Sequence, residues 1–282
     1  MDPIPEQDLQ EVMIMNWLQN FIARLFRIEP ARDRVITIRE AHTFRENVIQ
    51  NKLWYQGDGV TLEQYFKKTA KWDVEKARFW AATAQGNVRK IHSGIVGTVV
   101  DRYKDIVLAD LDAVDFGENM DILEERWNEI FERSKLNDVI GDAIVGALSS
   151  GDGAFKITAD ECSPYPIVEF YDAEDVEYVY IHSTLREIKF YTTYRNRNKE
   201  TYGYGYIRYK LYDDAGKEAP LQFLPETAHL IDFGFDESLI LAVPLKILTS
   251  TRYKNRGKAL FEGKTDVLDG LDETISQWMD AI

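Results

Sequence analysis

Residues 256–282, RGKALFEGKTDVLDGLDETISQWMDAI, form a glycine-punctuated basic loop that runs into an amphipathic helix. Apolar residues recur there at steps of three and four, which is typical of one stripe of an α-helix. The stripe consists of Val267, Leu268, Leu271, Ile275, Trp278, Met279 and Ile282, and the other side carries Asp266, Asp269, Asp272, Glu273, Gln277 and Asp280. We expect Thr265 or Asp266 to cap the helix. Since no Gly, Pro or basic last turn follows, we expect the chain to be cut within this helix.

The chain before this helix changes character once, at Gly153. Before it, helical periodicity predicts a mainly helical part, residues 1–152, with helices at 6–28, 33–55, 62–68, 74–84, 91–108, 121–134 and 136–148. After it, short tyrosine-rich and β-branched runs predict strands at 154–158, 167–171, 176–181, 185–194, 204–212 and 229–233. The expected class is therefore α+β: helices in 1–152, an antiparallel β module in 153–250, and a loop with the start of a helix in 251–282.

Composition excludes several classes of protein. A hydrophobic content of 45% over 282 residues is enough for a folded core. The 34 Lys and Arg against 48 Asp and Glu give a formal net charge of −14, which disfavours general electrostatic binding to nucleic acid. Cys162 is the single cysteine, so neither an intrachain disulfide nor a cysteine zinc cluster can form. Because no apolar run approaches about 20 residues and the N-terminus is acidic, we expect a soluble protein without a signal peptide or a membrane partner.

Two patterns point to alternative functions. Gly257 is followed after five residues by Gly263-Lys264-Thr265 and a helix, which resembles the phosphate-binding loop of a nucleotide-binding enzyme. That loop has four intervening residues, because its backbone N–H groups must curl around a phosphate in one geometry. Because the spacing departs from this requirement, a loop with a good helix start explains the pattern better.

The second pattern lies in residues 186–210, where basic residues alternate with tyrosines. They are Arg186, Lys189, Arg195, Arg197, Lys199, Arg208 and Lys210. Such a mixture suits stacking with single-stranded nucleic acid, and a nucleic-acid-binding adaptor is the second alternative. The solvated face of an antiparallel sheet has the same composition. The four histidines are scattered, and we predict no catalytic, cofactor-binding or metal-binding residues.

Three stretches together suggest a family. They are Leu53-Trp54-Tyr55-Gln56-Gly57-Asp58-Gly59 with Leu62-Glu63-Gln64-Tyr65, Lys90-Ile91-His92-Ser93-Gly94 with Val99-Val100-Asp101, and Gly263-Lys264-Thr265-Asp266 with the helix as far as Ser276. In this order, they resemble the portal proteins of tailed bacteriophages, of the type found in long-tailed phages of Gram-positive hosts. The likeness covers most of the chain.

The resemblance implies a non-enzymatic structural subunit of a ring, usually dodecameric, at one vertex of the viral capsid. The ring's channel passes double-stranded DNA during packaging and ejection. Its partners are the large terminase subunit, which is the packaging ATPase, the major capsid or scaffolding protein, and a head–tail connector protein. The subunit is made in the bacterial cytoplasm and ends in the virion.

The resemblance also assigns roles to the three parts of the chain. Residues 1–152 and 153–250 are the helical part and the β module of the outer wing, and 251–282 lead into the first stem helix. Asp266, Asp269, Asp272, Glu273 and Asp280 are expected to face the channel, where an acidic surface repels DNA phosphates. Leu268, Leu271, Ile275, Trp278 and Met279 are expected to pack against neighbouring stem helices. Portals of this type continue beyond this helix, so we expect an N-terminal portion of a longer chain.

Overall fold

Helices come first in the chain, strands follow, and one helix ends it, as the computed structural model shows. The structure describes residues 42–70, 73–82, 89–112, 114–117, 120–158, 164–193, 197–213 and 215–281. The predicted helix at 6–28, Cys162 and Arg195 lie outside these ranges. Residues 42–282 belong to one compact unit, so the change from helices to strands at Gly153 lies within it, and position 251 lies in the loop before the last helix.

The described helices follow the sequence pattern in the first half of the chain, except that the helix predicted at 91–108 begins at Ile95. They are α1 (Phe44–Gln56), α2 (Gly59–Thr69), α3 (Asp73–Lys76), α4 (Ile95–Ala109), α5 (Asp121–Arg133), α6 (Leu136–Ser150) and α7 (Thr265–Asp280). A short 3₁₀ turn adds Leu221–Phe223. The helix predicted at 74–84 is wrong in length, since α3 ends at Lys76 and turns follow.

Local capping explains the turn between α1 and α2. Thr43 and Glu46 form a capping box at the start of α1, in which each side chain binds the backbone N–H of the other. Gly57 ends α1 in the left-handed conformation at φ 68°, which only glycine adopts without cost. The Asp58 carboxylate then accepts hydrogen bonds from the first N–H groups of α2. Gly57 and Asp58 belong to the first of the three stretches that carry the family resemblance.

Two antiparallel sheets make up the β module. The strands are β1 (Gly153–Thr158), β2 (Ile167–Asp172), β3 (Val176–Ile181), β4 (Thr184–Thr193), β5 (Arg197–Gly203), β6 (Tyr206–Tyr212), β7 (Glu218–Ala219), β8 (Phe233–Gly234) and β9 (Ala242–Leu245). The first sheet has the order β2-β1-β9. The second has the order β3-β4-β5-β6-β7, with β8 also paired to β6. The predicted class, α+β with an antiparallel β region and a C-terminal helix, is confirmed.

The strand predictions need two corrections. The strand predicted at 204–212 is β6, which begins two residues later, and it forms a hairpin through Gly205 with β5, a strand that the sequence pattern missed. β5 is polar because its inward positions include Asn198 and Glu200, and Glu200 pairs with the buried Lys156 of β1 at 3.2 Å. The strand predicted at 229–233 is also wrong, since only Phe233 of that range belongs to a strand.

Separate apolar clusters stabilise the helical part and the β module. In the helical part, one cluster contains Trp54, Leu62, Phe66, Trp80, Val96, Ala259 and Phe261, with Leu268 of α7 packed against it. A second joins α4 to α6 through Val100, Ile144 and Leu148. In the β module, a third contains Ile188, Phe190, Tyr202 and Ile207 of the larger sheet. The loop before α7 is therefore part of the core of the helical region.

Candidate functional site

The buried edge of α7 is polar rather than apolar. Asp269, Asp272 and Ser276 are buried, and their spacing of three and four residues aligns them along one edge of the helix. They face backbone N–H groups from two non-helical segments, residues 79–80 and 91–93. Side-chain oxygens of the helix thus satisfy peptide groups that have no partner within a helix or sheet.

Asp272 is the centre of this edge and has no exposed surface. Its carboxylate accepts hydrogen bonds from the Ser93 backbone N–H at 2.8 Å and from the Trp80 indole N–H at 3.1 Å. The Ser276 hydroxyl accepts from the Ile91 N–H at 2.9 Å and donates to the Asp272 carbonyl at 2.7 Å. We call the set Trp80, His92, Ser93, Asp269, Asp272 and Ser276 the α7 junction.

His92 fills the space beside Asp272. Its Nδ1 accepts the Gly94 N–H at 2.9 Å, so the neutral ring carries its proton on Nε2, which lies 3.7 Å from the Asp272 carboxylate. The ring packs against Trp54 and Trp80, with centroids 5.4 Å and 6.1 Å away. Burial lowers the pKa of His92, against the opposing effect of Asp272. The geometry therefore favours a neutral histidine.

Asp269 and Lys90 hold the segment that carries Trp80. The Asp269 carboxylate accepts hydrogen bonds from the backbone N–H groups of Phe79 at 2.8 Å and Trp80 at 3.3 Å. Burial raises the pKa of Asp269, although these two N–H groups favour its ionised form. From the other side, the Lys90 ammonium donates to the Trp80 carbonyl at 3.3 Å and to the Ala82 carbonyl at 2.7 Å.

The three stretches that carry the family resemblance meet at this junction. Trp54 of the first stretch contacts His92 of the second. Glu63 of the first forms an ion pair with Lys90 of the second at 3.2 Å. His92 in turn lies beside Asp272 of the third. The third stretch thus forms one site with the first, although they lie about 200 residues apart in sequence. The hydrogen bonds of this site attach helix α7 to the rest of the chain.

The prediction that Asp269 and Asp272 face a channel is wrong, because both carboxylates are buried against their own chain. Asp266, Glu273 and Asp280 are exposed, and their orientation towards a channel stays a prediction. The sequence did contain a signal: an Asp, Asp, Ser series at i, i+3 and i+7 is itself a helical stripe. The capping prediction was also wrong, since Lys264 precedes the helix and no side chain caps it.

The apolar stripe of α7 faces outward for most of its length. Val267 is 75% exposed, Leu271 37%, Trp278 65% and Met279 53%, while Leu268 and Ile275 are half-buried. Among the described residues of this stripe, only Leu268 joins a core cluster. Whether the stripe packs on neighbouring helices stays a prediction, but the residues expected to do so are largely accessible.

A second polar contact positions the loop that leads to α7. The fully buried Asp152 carboxylate accepts hydrogen bonds from Arg256 at 2.8 Å and from the Gly257 N–H at 2.7 Å. Arg256 also donates to the carbonyls of Ala173 and Val176. A Cβ at Gly257 would lie 2.0 Å from the Gly151 carbonyl oxygen, so the two backbones touch. The Gly257 N–H therefore donates its hydrogen bond to Asp152, whereas in a phosphate-binding loop it would donate to the nucleotide.

The basic residues of strands β4–β6 are partly neutralised. Lys189 pairs with Glu177 at 2.9 Å, and Lys210 pairs with Glu218 at 2.8 Å. Arg208 lies 4.6 Å from the centre of the Tyr206 ring. The arrangement is typical of the solvated face of a sheet, and the nucleic-acid-binding alternative stays a prediction.

The described part of the chain is thus an α+β protein in which three separate stretches meet at a polar junction. Among its residues, no group of three His, Cys, Asp or Glu side chains is arranged to hold a metal ion. None of the described helices has the length and apolar character needed to cross a bilayer. No protein-family model matches the chain, and no curated protein is significantly similar to it.

Proposed function

We propose that the chain is a structural subunit of a phage-type portal. Copies of it assemble into a ring at one vertex of a capsid, and double-stranded DNA passes through the central channel. The large terminase subunit, a capsid or scaffolding protein and a head–tail connector are the partners of such a ring, and the virion is its final location. The ordered sequence resemblance is the source of this proposal.

The observation that supports it best is the orientation of α7. Its polar edge binds its own chain through Asp269, Asp272 and Ser276, whereas Trp278 and Met279 remain exposed. Exposed apolar stripes of this kind are typical of protein–protein contacts. Burying one large apolar side chain contributes about 1.5–3 kcal/mol, so a few such contacts per subunit would stabilise a ring.

In this proposal, the residues that line the DNA channel are the acidic residues of α7 that remain accessible. Glu273 and Asp280 are exposed on α7, and Asp266 is exposed but pairs with Arg78. Carboxylates on a channel wall repel phosphates and let DNA slide. Asp269 and Asp272 have a different role in this proposal, which is to attach the helix to the wing.

The test is the assembly state of the complete gene product, measured by mass photometry and negative-stain electron microscopy. We expect rings whose central hole admits duplex DNA. In the variant Trp278→Ser/Met279→Ser, the rings should dissociate to monomers or dimers. The matched control Phe223→Ser/Ile231→Ser also removes two exposed apolar side chains, from the β region, and should leave rings intact.

Monomers of the complete, unsubstituted gene product over the whole accessible concentration range would refute the proposal. Closed dimers without a channel would do the same. If rings form but resist the Trp278→Ser/Met279→Ser substitution, the portal function stands and the role given to the α7 stripe is wrong.

A further inference from the structure

Helix α4 carries a second apolar stripe beside the one that packs in the core. Val96 and Val100 are buried. Ile95, Val99, Tyr103, Ile106 and Val107 are between 39% and 57% exposed. Their spacing of three and four residues places them on one face, over about 18 Å of helix at 1.5 Å per residue. This face has no partner among the described residues that would bury it.

The apolar surface continues beyond the end of α4. Leu111, Val114 and Phe116 are exposed, and so are Ile122 and Leu123 at the start of α5. The Phe116 ring lies 6.3 Å from that of Trp127, which places this stretch against α5. Between positions 103 and 123, nine large apolar side chains are exposed. Such a density on a folded protein marks a surface that another molecule covers.

The charges around this surface identify the chemistry of that molecule. Asp105 pairs with Lys104 at 3.8 Å, but residues 106–125 contain no Lys or Arg, and their exposed acidic side chains include Asp110, Asp112, Asp115 and Asp121. Nucleic acid and anionic lipid are repelled by such a surface. Positive charge on a partner would be attracted to it, and apolar side chains on the same partner would cover the stripe.

We infer that the exposed face of α4 together with the described residues of 110–112, 114–117 and 120–123, here called the α4–α5 surface, binds a cationic amphipathic helix of a partner protein. A helix suits the site because the apolar stripe on α4 is straight and about 18 Å long, which matches about 12 residues of a second helix. Lys or Arg flanking the partner's apolar face would lie near Asp110 and Asp112. This inference does not depend on ring formation.

The experiment uses the full chain and a fluorescein-labelled 18-residue peptide of Leu and Lys, with Leu on one helical face. Fluorescence anisotropy at low salt measures its binding. A second peptide, with Glu in place of every Lys, is the control for apolar attraction alone. We expect the Lys peptide to bind and the Glu peptide to bind at least about tenfold more weakly, because like charges repel.

Charge variants locate the site. Asp110→Asn/Asp112→Asn should weaken binding of the Lys peptide about fivefold to tenfold, an effect that salt reduces. Glu226→Gln/Glu237→Gln removes the same charge from exposed positions of the β region and should leave binding unchanged. Equal weakening by both variants would show attraction to the overall acidity of the chain and would overturn the inference.

Apolar variants complete the test. Ile106→Ser/Ile122→Ser should weaken binding about tenfold or more. The control Phe223→Ser/Ile231→Ser should not. Circular dichroism of each variant verifies its fold. If Ile106→Ser/Ile122→Ser instead dissociates an assembly of the chain, a second copy covers this surface, and the cationic partner is refuted. Equal binding of the Lys and Glu peptides would refute it as well.

Discussion

Replacing Asp272 by alanine tests whether the polar edge of α7 attaches this helix to the rest of the fold. The carboxylate is completely buried and accepts hydrogen bonds from the Ser93 N–H at 2.8 Å and the Trp80 indole N–H at 3.1 Å. Alanine removes the acceptor and leaves both donors in a site closed to water. His92 also loses the carboxylate that faces its Nε2.

The magnitude follows from the two hydrogen bonds. A hydrogen bond to a charged group contributes about 1.5–3 kcal/mol, so two contribute about 3–6 kcal/mol. Relief from burying a carboxylate offsets part of this. We therefore expect Asp272→Ala to lower the free energy of unfolding by about 3 kcal/mol. Asp272→Asn keeps one acceptor oxygen and should cost about half as much.

Urea denaturation followed by tryptophan fluorescence measures the loss, since Trp80 lies in the junction itself. The midpoint should fall for Asp272→Ala with an unchanged slope, which marks a change in stability alone. Glu273→Ala is the matched control, because Glu273 is exposed on the same helix and its loss should change stability by no more than about 0.5 kcal/mol. Equal midpoints for Asp272→Ala and Glu273→Ala would refute the attachment role of this carboxylate.

Three further predictions concern other contacts of the fold. In the same urea assay, Gly57→Ala should destabilise the chain by about 1 kcal/mol more than Gly216→Ala. Both glycines have positive φ, but a Cβ at Gly57 would lie 3.0 Å from His92 Nδ1, whereas a Cβ at Gly216 would face open space. Burial holds the pKa of His92 below the ordinary 6.5, so the unfolded state becomes protonated at a higher pH than the folded state. The free energy of unfolding should therefore fall as the pH drops below about 6.5. His92→Gln should flatten this part of the stability–pH curve. Lys156→Met leaves the Glu200 carboxylate buried without its cation and should lower the free energy of unfolding by about 3–5 kcal/mol. Adding Glu200→Leu should restore most of this loss. An undiminished loss of stability in the double variant would contradict the prediction.

The helices of the first half were predictable because their apolar residues recur at helical spacing. Helix α6 was predicted at 136–148 and spans Leu136–Ser150, and α5 was predicted within one residue. The fold class followed from the change of composition at Gly153, where β1 begins. Local periodicity and local turn chemistry thus determined these elements.

Strand β5 could not be predicted because its stabilising contacts are remote in sequence. Its inward-facing Glu200 is acceptable in the core because Lys156 supplies the opposite charge from a strand of the other sheet. Although burial opposes the charge of the lysine, the Glu200 carboxylate raises the pKa of Lys156 above its ordinary value. From the sequence alone, a polar residue predicts a solvent-exposed position, because the partner that would make its burial acceptable is not known.

The same physical reason explains why the sequence misplaced the buried edge of α7. An amphipathic pattern identifies an apolar face, but burial depends on what the neighbouring segments present. Around Trp80 and Ser93 they present backbone N–H groups, which only an acceptor can satisfy in a closed site. Asp269 and Asp272 therefore took the interior position that apolar residues usually hold.

Helix α7 buries a polar edge and exposes much of its apolar stripe, which has a consequence for the proposed assembly. A helix attached by its apolar stripe would have little surface left to bind another molecule. Directional hydrogen bonds to Asp272 and Ser276 instead fix the position of α7, while the Trp278 side of the stripe stays accessible. Loss of the junction and loss of the stripe should therefore have different effects. We expect Asp272→Ala to lower the stability of the monomer. We expect Trp278→Ser/Met279→Ser to weaken the proposed ring and to leave the unfolding midpoint of the monomer nearly unchanged, because both side chains are already more than half exposed.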